Sequence, residues 1–362
     1  MSKDQHSKSA NASFAWDVTT LEQDRSWRLQ IEPAAAKTVA ASVKRAYDPA
    51  RDWFDYGPED VDLDPIWREV ERAVTVAHSE RGLALVHGLP RDDLSEDEFK
   101  TLSWCIGLRI GVPRPQGKQS HYLAAVKNTG TVYRAVGGRG YSSNAELDFH
   151  VDGADLTTLA CYNQAPIGGE SMVTSAVSTW EVLSSEAPDL AELACNVFCF
   201  SRQLEEAPDE EPYYAQPLFD WCDGRLFSKW NRNRIQSAQK HADVPALTDA
   251  QRQLMDKLDD ILRRAQWMYR MFLAPGDLQI INNHTMLHSR TQFEDADDEA
   301  ARRMLVRLWL APPDSIALPE SWGHFYRSTA PGTVRGGIRG HQHDARCQGF
   351  DAAMARAHGM HA

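Results

Sequence analysis

No apolar run in this chain approaches the about 20 consecutive residues that a membrane-spanning helix requires. The stretch from Met1 to Trp16 is polar and lacks the apolar core of a secretory signal, so a cytoplasmic protein is expected. Cysteine is sparse: six residues, at 105, 161, 195, 199, 222 and 347, are scattered over 362 positions. Cys195 and Cys199 lie four apart, but no second pair completes a zinc quartet, and the expectation is reduced, mostly buried thiols. Basic excess is also missing. A formal net charge of -12 argues against a broad electrostatic grip on nucleic acid or an anionic membrane, since both demand a basic face. It leaves room for a local cationic pocket that takes a small acid. There is no internal repeat of solenoid period.

What is present is an ordinary globular composition, 42% hydrophobic and 25% charged, ample for a buried core. Residues 1–25 show little hydrophobic periodicity and are expected to be disordered. Ile66, Val70, Ala73, Val74 and Ala77 recur at helical spacing between Asp64 and Ser79. Residues 82–87 then read as a buried strand broken by Gly88 and Pro90. Ser95 with Glu98 three residues on forms a capping-box signature ahead of Phe99, Leu102 and Ile106. Short β-like runs follow at 156–162, 171–175, 197–201, 225–230, 276–281 and 304–310, with helical patterns at 179–195 and 248–268. Strands crowd the middle and end, with helices at the front and in an insertion. The reading is an α+β, mainly β fold: a jelly roll, or double-stranded β-helix, flanked by helices. It divides into one domain over 26–327 with a helical insertion at about 179–265. A tail over 328–362, rich in Gly, Arg and His, reads as loose or as a lid.

The chemistry concentrates in a few places. His150-Val-Asp152 sets an imidazole and a carboxylate two residues apart; on extended backbone both face the same side and reach one ion. A distal His288 would complete the 2-His-1-carboxylate set suited to non-haem Fe(II), which keeps positions open for a 2-oxo acid and dioxygen. His-x-Asp alone is weak, and a second instance, His241-Ala-Asp243, stands in a loop context ahead of Pro245. Order raises the first: Gly168-Gly169-Glu170-Ser171, Gly276-Asp277-Leu278, residues 282–293 around His288, and then 302–310 follow in turn. In the last block Arg303, Leu305 and Arg307 alternate on one strand face, where a permanently charged, bidentate guanidinium suits a carboxylate.

These ordered motifs, spanning roughly residues 65–312, resemble the taurine dioxygenase superfamily of Fe(II)- and 2-oxoglutarate-dependent oxygenases. The resemblance implies that His150, Asp152 and His288 are iron ligands and that Arg303 pairs with the distal carboxylate of 2-oxoglutarate. It further implies that Ser171 hydrogen-bonds this co-substrate and that Arg307 acts as a second arginine in the site. Val173 replaces a tryptophan, and Glu146 an asparagine, so a taurine-like pocket is not implied. Halogenating relatives carry Gly or Ala where Asp152 stands, and the carboxylate therefore points to hydroxylation. Desaturation and ring closure share the same first steps and stay open.

For the substrate the sequence offers Arg139 in the glycine-rich segment 137–140, Tyr141, Glu146 and Arg232, with Arg234 as a further cation. Each competes with an ordinary reading: exposed cation for the arginines, core packing for Tyr141 and for Phe149. Two rivals of another class remain. His284 and His288 are four apart, as in a helical zinc protease, but Thr285 stands where that motif needs Glu. A non-catalytic jelly-roll binding protein would keep the fold without the chemistry. The expected partner is a small-molecule substrate; self-association is left open.

Overall fold

The computed structural model describes residues 11–134 and 140–362. Its centre is a seven-stranded sheet in the order Arg28–Gln30, Leu83–His87, Leu278–Asn282, Leu156–Asn163, Met304–Ala311 and Val112–Arg114, with Leu123–Val126 also pairing with Met304–Ala311. A three-stranded sheet, Met268–Met271, Ser171–Ser175 and Met286–Arg290, provides the second wall. Pairing is antiparallel throughout except for Arg28–Gln30 against Leu83–His87.

Side-chain alternation decides what faces what. On Met304–Ala311 and the residue before it, Arg303, Leu305, Arg307 and Trp309 line an internal cavity. Leu308 points the other way, against the helix Glu96–Ile110. A Cβ added to Gly107 of that helix would come within 2.4 Å of Leu308 Cδ1, so only glycine lets helix and sheet approach this closely. The expected capping box closes the start of the helix: Ser95 N–H donates to Glu98 at 2.8 Å, and Glu98 N–H to Ser95 Oγ at 3.3 Å.

Several expectations change here. Residues 11–25 are packed rather than loose: Phe14, Trp16 and Leu21 are buried, and Trp16 N–H and carbonyl both bond Ser178 Oγ, at 2.9 and 2.8 Å. Three large side chains within eight positions anchor this strap without any helical or strand period. The helix expected over 179–195 is two, Ala176–Glu186 and Pro188–Ala194, because Pro188 cannot continue the first. The insertion is not simply helical. Strand pairs Val197–Ser201 with Tyr213–Pro217, and Phe219–Cys222 with Arg225–Ser228, stand between its helices.

The tail is built in as well. Arg335 is 1% exposed and its guanidinium is paired with Asp155. Gly337 N–H donates to Gly153 O at 2.6 Å, Ile338 lines the cavity, and the helix Ala345–Ala357 stacks Phe350 on Phe54. Polar tail residues conceal this packing in the sequence because the buried charge is answered by a partner 180 positions earlier. No helix among the described residues is long and apolar enough to cross a membrane.

Candidate active site

His150 lies outside the named strands but is held as one. Its N–H and C=O exchange 3.0 Å hydrogen bonds with those of His288 on Met286–Arg290, and it also bridges to Asn231. The extended run that same-face geometry requires of His150 and Asp152 is thus imposed by two neighbours. One ligand atom from each of His150, Asp152 and His288 falls within 4.8 Å of the others. His150 Nε2 lies 3.8 Å from Asp152 Oδ1, and His288 Nε2 lies 3.7 Å from Oδ2.

Each side chain is oriented from behind. His150 Nδ1 bonds the Asp148 carbonyl at 2.9 Å, which turns Nε2 towards the cluster. Asp152 accepts from Thr157 Oγ at 3.0 Å, and its own N–H donates to Asn283 Oδ1 at 3.1 Å. Burial alone would raise the Asp152 pKa, but Arg307 at 3.5 Å, followed by His288 and His150, holds it well below the usual carboxylate range. Burial and then His150 push His288 down to about 3, leaving a neutral imidazole with a free lone pair at physiological pH. Two imidazoles and an ionised carboxylate, closely grouped, form a donor set that fits Fe(II).

Beside them the cavity holds an excess of unanswered cationic donors. Arg303 is 4% exposed; its Nε donates to Gln164 Oε1 at 3.1 Å, while its Nη1 is buried without a hydrogen-bond partner among the described residues. Arg290 Nη1 and Arg307 Nη2 are equally unpaired, and all three residues line the cavity. Burial lowers Arg303 to about 10, and burial with Arg303 as neighbour lowers Arg290 to about 9, so both remain cationic at neutral pH. Buried guanidinium N–H groups require acceptors, and a diacid supplies them. Ser171 lies opposite Arg290 in the strand register, lines the same cavity and is within 3.2 Å of the Gln279 amide.

Gly169 completes this corner. Its φ is +78°, and a Cβ there would stand 3.0 Å from Arg303 Nε and 2.9 Å from Gln164 Oε1. Gly169→Ala should therefore cost about 1–2 kcal/mol of backbone strain and disturb the Arg303 rotamer. A lowered unfolding midpoint together with weaker 2-oxoglutarate binding by calorimetry is the expected outcome.

Of the substrate candidates, Tyr141 lines the cavity, with the Arg307 guanidinium 5.2 Å from its ring centre. Glu146 faces outward and pairs with Arg263, and it does not line the cavity. Arg232 is engaged by Asp256 and Asp259, each at 2.7 Å, and is likewise not a lining residue. Arg139 lies outside the described residues. Phe149 is core, at 1% exposure. The zinc-protease geometry is absent: His284 sits in a turn with Nε2 2.9 Å from buried Asp155, and His288 is on a strand. Sequence reasoning missed Gln164, Gln279 and Gln116, the last bonding Arg307 Nε at 2.8 Å, because neutral amides carry no motif.

Residues 46–309 match the family model described as taurine catabolism dioxygenase TauD, TfdA family. The chain belongs to this family. It is a 2-oxoglutarate-dependent dioxygenase with Fe(II), 2-oxoglutarate and dioxygen as its cofactor and co-substrates. Among curated relatives, FR-33289 synthase of Streptomyces rubellomurinus (strain ATCC 31215) is 25% identical over 87% of this chain and 96% of that protein. A uridine-5'-phosphate dioxygenase of Amycolatopsis sp is 27% identical over 46% of this chain and 62% of its own. Asparagine oxygenase in complex with Fe(II), 2S,3S-3-hydroxyasparagine and succinate has the same fold, with a TM-score of 0.55 and 16% identity over 78% of this chain and 93% of that one. The non-heme iron oxygenase OrfP in complex with Fe, succinate and (3S)-hydroxy-L-Arg gives a TM-score of 0.56 at 15% identity, covering 78% and 94%. The TauD-family fold is the double-stranded β-helix expected above, here with flanking helices.

Proposed function

We propose that this TauD-family oxygenase hydroxylates an unactivated C–H bond of a small polar metabolite, of the amino-acid or carboxylate class, in the cytoplasm. His150, Asp152 and His288 hold the iron in this reading; Arg303 and Ser171 hold 2-oxoglutarate, with Arg307 alongside. The observation that carries it is the convergence of three ligand atoms within 4.8 Å, in the cavity that contains the unpaired, buried Arg303 Nη1. The hydroxylated amino acids bound in the two solved relatives support the substrate class.

When bound, Fe(II) with 2-oxoglutarate and dioxygen supplies the oxidising power, with succinate and carbon dioxide as by-products. The protein's own contribution is placement. Arg303 fixes the far carboxylate of the co-substrate, and Gln164 and Gly169 fix Arg303. Thr157, Asn283 and Arg307 keep Asp152 ionised and aimed. Leu159, Leu305, Trp309 and Phe325 exclude water around the reacting carbon.

The direct test is Fe(II)- and oxygen-dependent succinate release from 2-oxoglutarate in the presence of a metabolite panel; no release with any compound would overturn the reading. Arg303→Ala should raise the KM for 2-oxoglutarate by about tenfold to a hundredfold, the value of charged hydrogen bonds, with a smaller effect on kcat. An unchanged KM would remove Arg303 from the co-substrate site.

A further inference from the structure

The functional reading above leaves one wall of the cavity unused. Lys229 is 4% exposed and lines the cavity, and its side chain has no hydrogen bond or ion pair among the described residues. Aromatic faces meet its ammonium, with Nζ 4.0 Å from the Phe325 ring centre and 5.2 Å from that of Tyr326, and Asp152 acts on it through space without an ion pair. The neighbouring arginines are matched: Arg234 with Glu205 at 2.9 Å, Arg202 with Glu210 at 3.7 Å. Lys229 alone among these three lacks a carboxylate. Burial, with Arg234 and Arg202 nearby, lowers Lys229 to about 7, and an external anion bonded to Nζ is the natural counterpart that would hold it charged.

A second group points the same way. Tyr214 lines the cavity and its Oη is buried with no hydrogen-bond partner among the described residues. Burial pushes its pKa up, which keeps the hydroxyl protonated as a donor. Its ring packs on Phe325 at 5.0 Å, the same ring that carries Lys229. Asn231 and Asn233 add carboxamides to this wall. The location relative to the metal ligands follows from backbone pairing. Asn231 bridges His150, and Trp230 O accepts from Val151 N–H at 3.0 Å. Lys229 stands two residues before Asn231, and both side chains line the cavity.

We infer that Lys229 and Tyr214 form an oxyanion subsite for the primary substrate, which carries a carboxylate, phosphonate or sulfonate close to the carbon that is oxidised. The inference rests on the oxygenase reading of the cavity. The anion is separate from 2-oxoglutarate, whose carboxylate belongs to Arg303. Because Lys229 lies two residues from Asn231, which bridges His150, the anion would sit close to the metal centre, and small substrates are favoured over long ones.

The test uses the full-length enzyme loaded with Fe(II) and 2-oxoglutarate without oxygen, titrated calorimetrically with methylphosphonate, methanesulfonate, acetate and the neutral dimethyl methylphosphonate. At least one anion should bind the wild type, and the neutral ester should not. Lys229→Met should weaken that anion by about tenfold or more, Tyr214→Phe by a few-fold, and Lys229→Arg by less than Lys229→Met. The affinity for 2-oxoglutarate should stay within about threefold in all variants, which separates this subsite from the Arg303 corner. Lys229→Met exchanges a buried charge for a side chain of similar length, and Tyr214→Phe provides an independent reading. The ranking of the anions identifies the headgroup. Loss of 2-oxoglutarate loading in the wild type would overturn the functional reading itself. Normal loading with no anion binding, or undiminished binding in Lys229→Met and Tyr214→Phe, would overturn only the subsite.

Discussion

Asp152→Ala is expected to abolish 2-oxoglutarate-dependent succinate release, by on the order of 10³-fold or more, and to weaken Fe(II) binding in equilibrium dialysis. The size of the effect follows from the position of this carboxylate. It is 5% exposed, is the single anion of the His150–Asp152–His288 group, and is the acid nearest Arg307. Removing it leaves two imidazoles with no carboxylate beside them, which hold a divalent ion more weakly, and leaves Arg307 less well answered. Asp152→Asn separates the two contributions. It retains the shape and the Thr157 contact but loses the charge, and it too should fail to turn over. The controls are Glu146→Ala and Arg232→Ala, which alter ion pairs outside the cavity and should stay within about twofold of wild type. Normal turnover by Asp152→Ala would remove the residue from the metal site.

The largest stability effect is expected from Arg335→Ala. Asp155 and Arg335 are each 1% exposed, and the Arg335 Nε lies 3.0 and 3.1 Å from the two carboxylate oxygens, with His284 Nε2 at 2.9 Å. Truncating Arg335 strands a buried carboxylate, at a cost of about 3–5 kcal/mol and a drop in Tm of roughly 5–10 °C. The double variant Asp155→Leu/Arg335→Met removes both charges and should recover most of that loss, so the cycle yields a large coupling. The pH dependence has a definite sign. Burial would raise the Asp155 pKa, but Arg335 and His284 hold it well below its ordinary 3.8. A depressed carboxylate contributes stability that is complete above pH of about 4 and is lost only as the pH falls towards the depressed folded value. Arg335→Ala should therefore shift acid unfolding to higher pH, as followed by circular dichroism. An unshifted acid transition would show that the pair contributes nothing.

The sequence exposed those parts of the site whose chemistry depends on residue type at fixed spacing. His150 and Asp152 are legible because alternation puts positions i and i+2 on one face, and Arg303 and Arg307 because charge at alternate positions of an apolar strand demands an acceptor. Central strands such as 156–162 and 304–310 are legible as apolar runs, whereas the break at Pro188 went unread because the helical pattern runs on through 179–195. Lys229 was not. Lysine is mostly a surface residue, and nothing in Phe227-Ser-Lys229-Trp230 signals that its ammonium ends against aromatic rings. The packed strap around Phe14 and Trp16 and the helix Ala345–Ala357 escaped notice for a related reason. Their contacts lie with distant segments, and local periodicity carries no record of a partner more than 150 positions away.

Arg335 bonds Asp155, Gly337 bonds Gly153, and Ile338 lines the cavity, so the wall next to His150 and Asp152 is closed by a segment some 180 positions further along the chain. The chamber is complete only once that segment has travelled back across the fold. A chain truncated between Ala311 and Arg335 would keep His150, Asp152 and His288 yet leave that chamber open on one side.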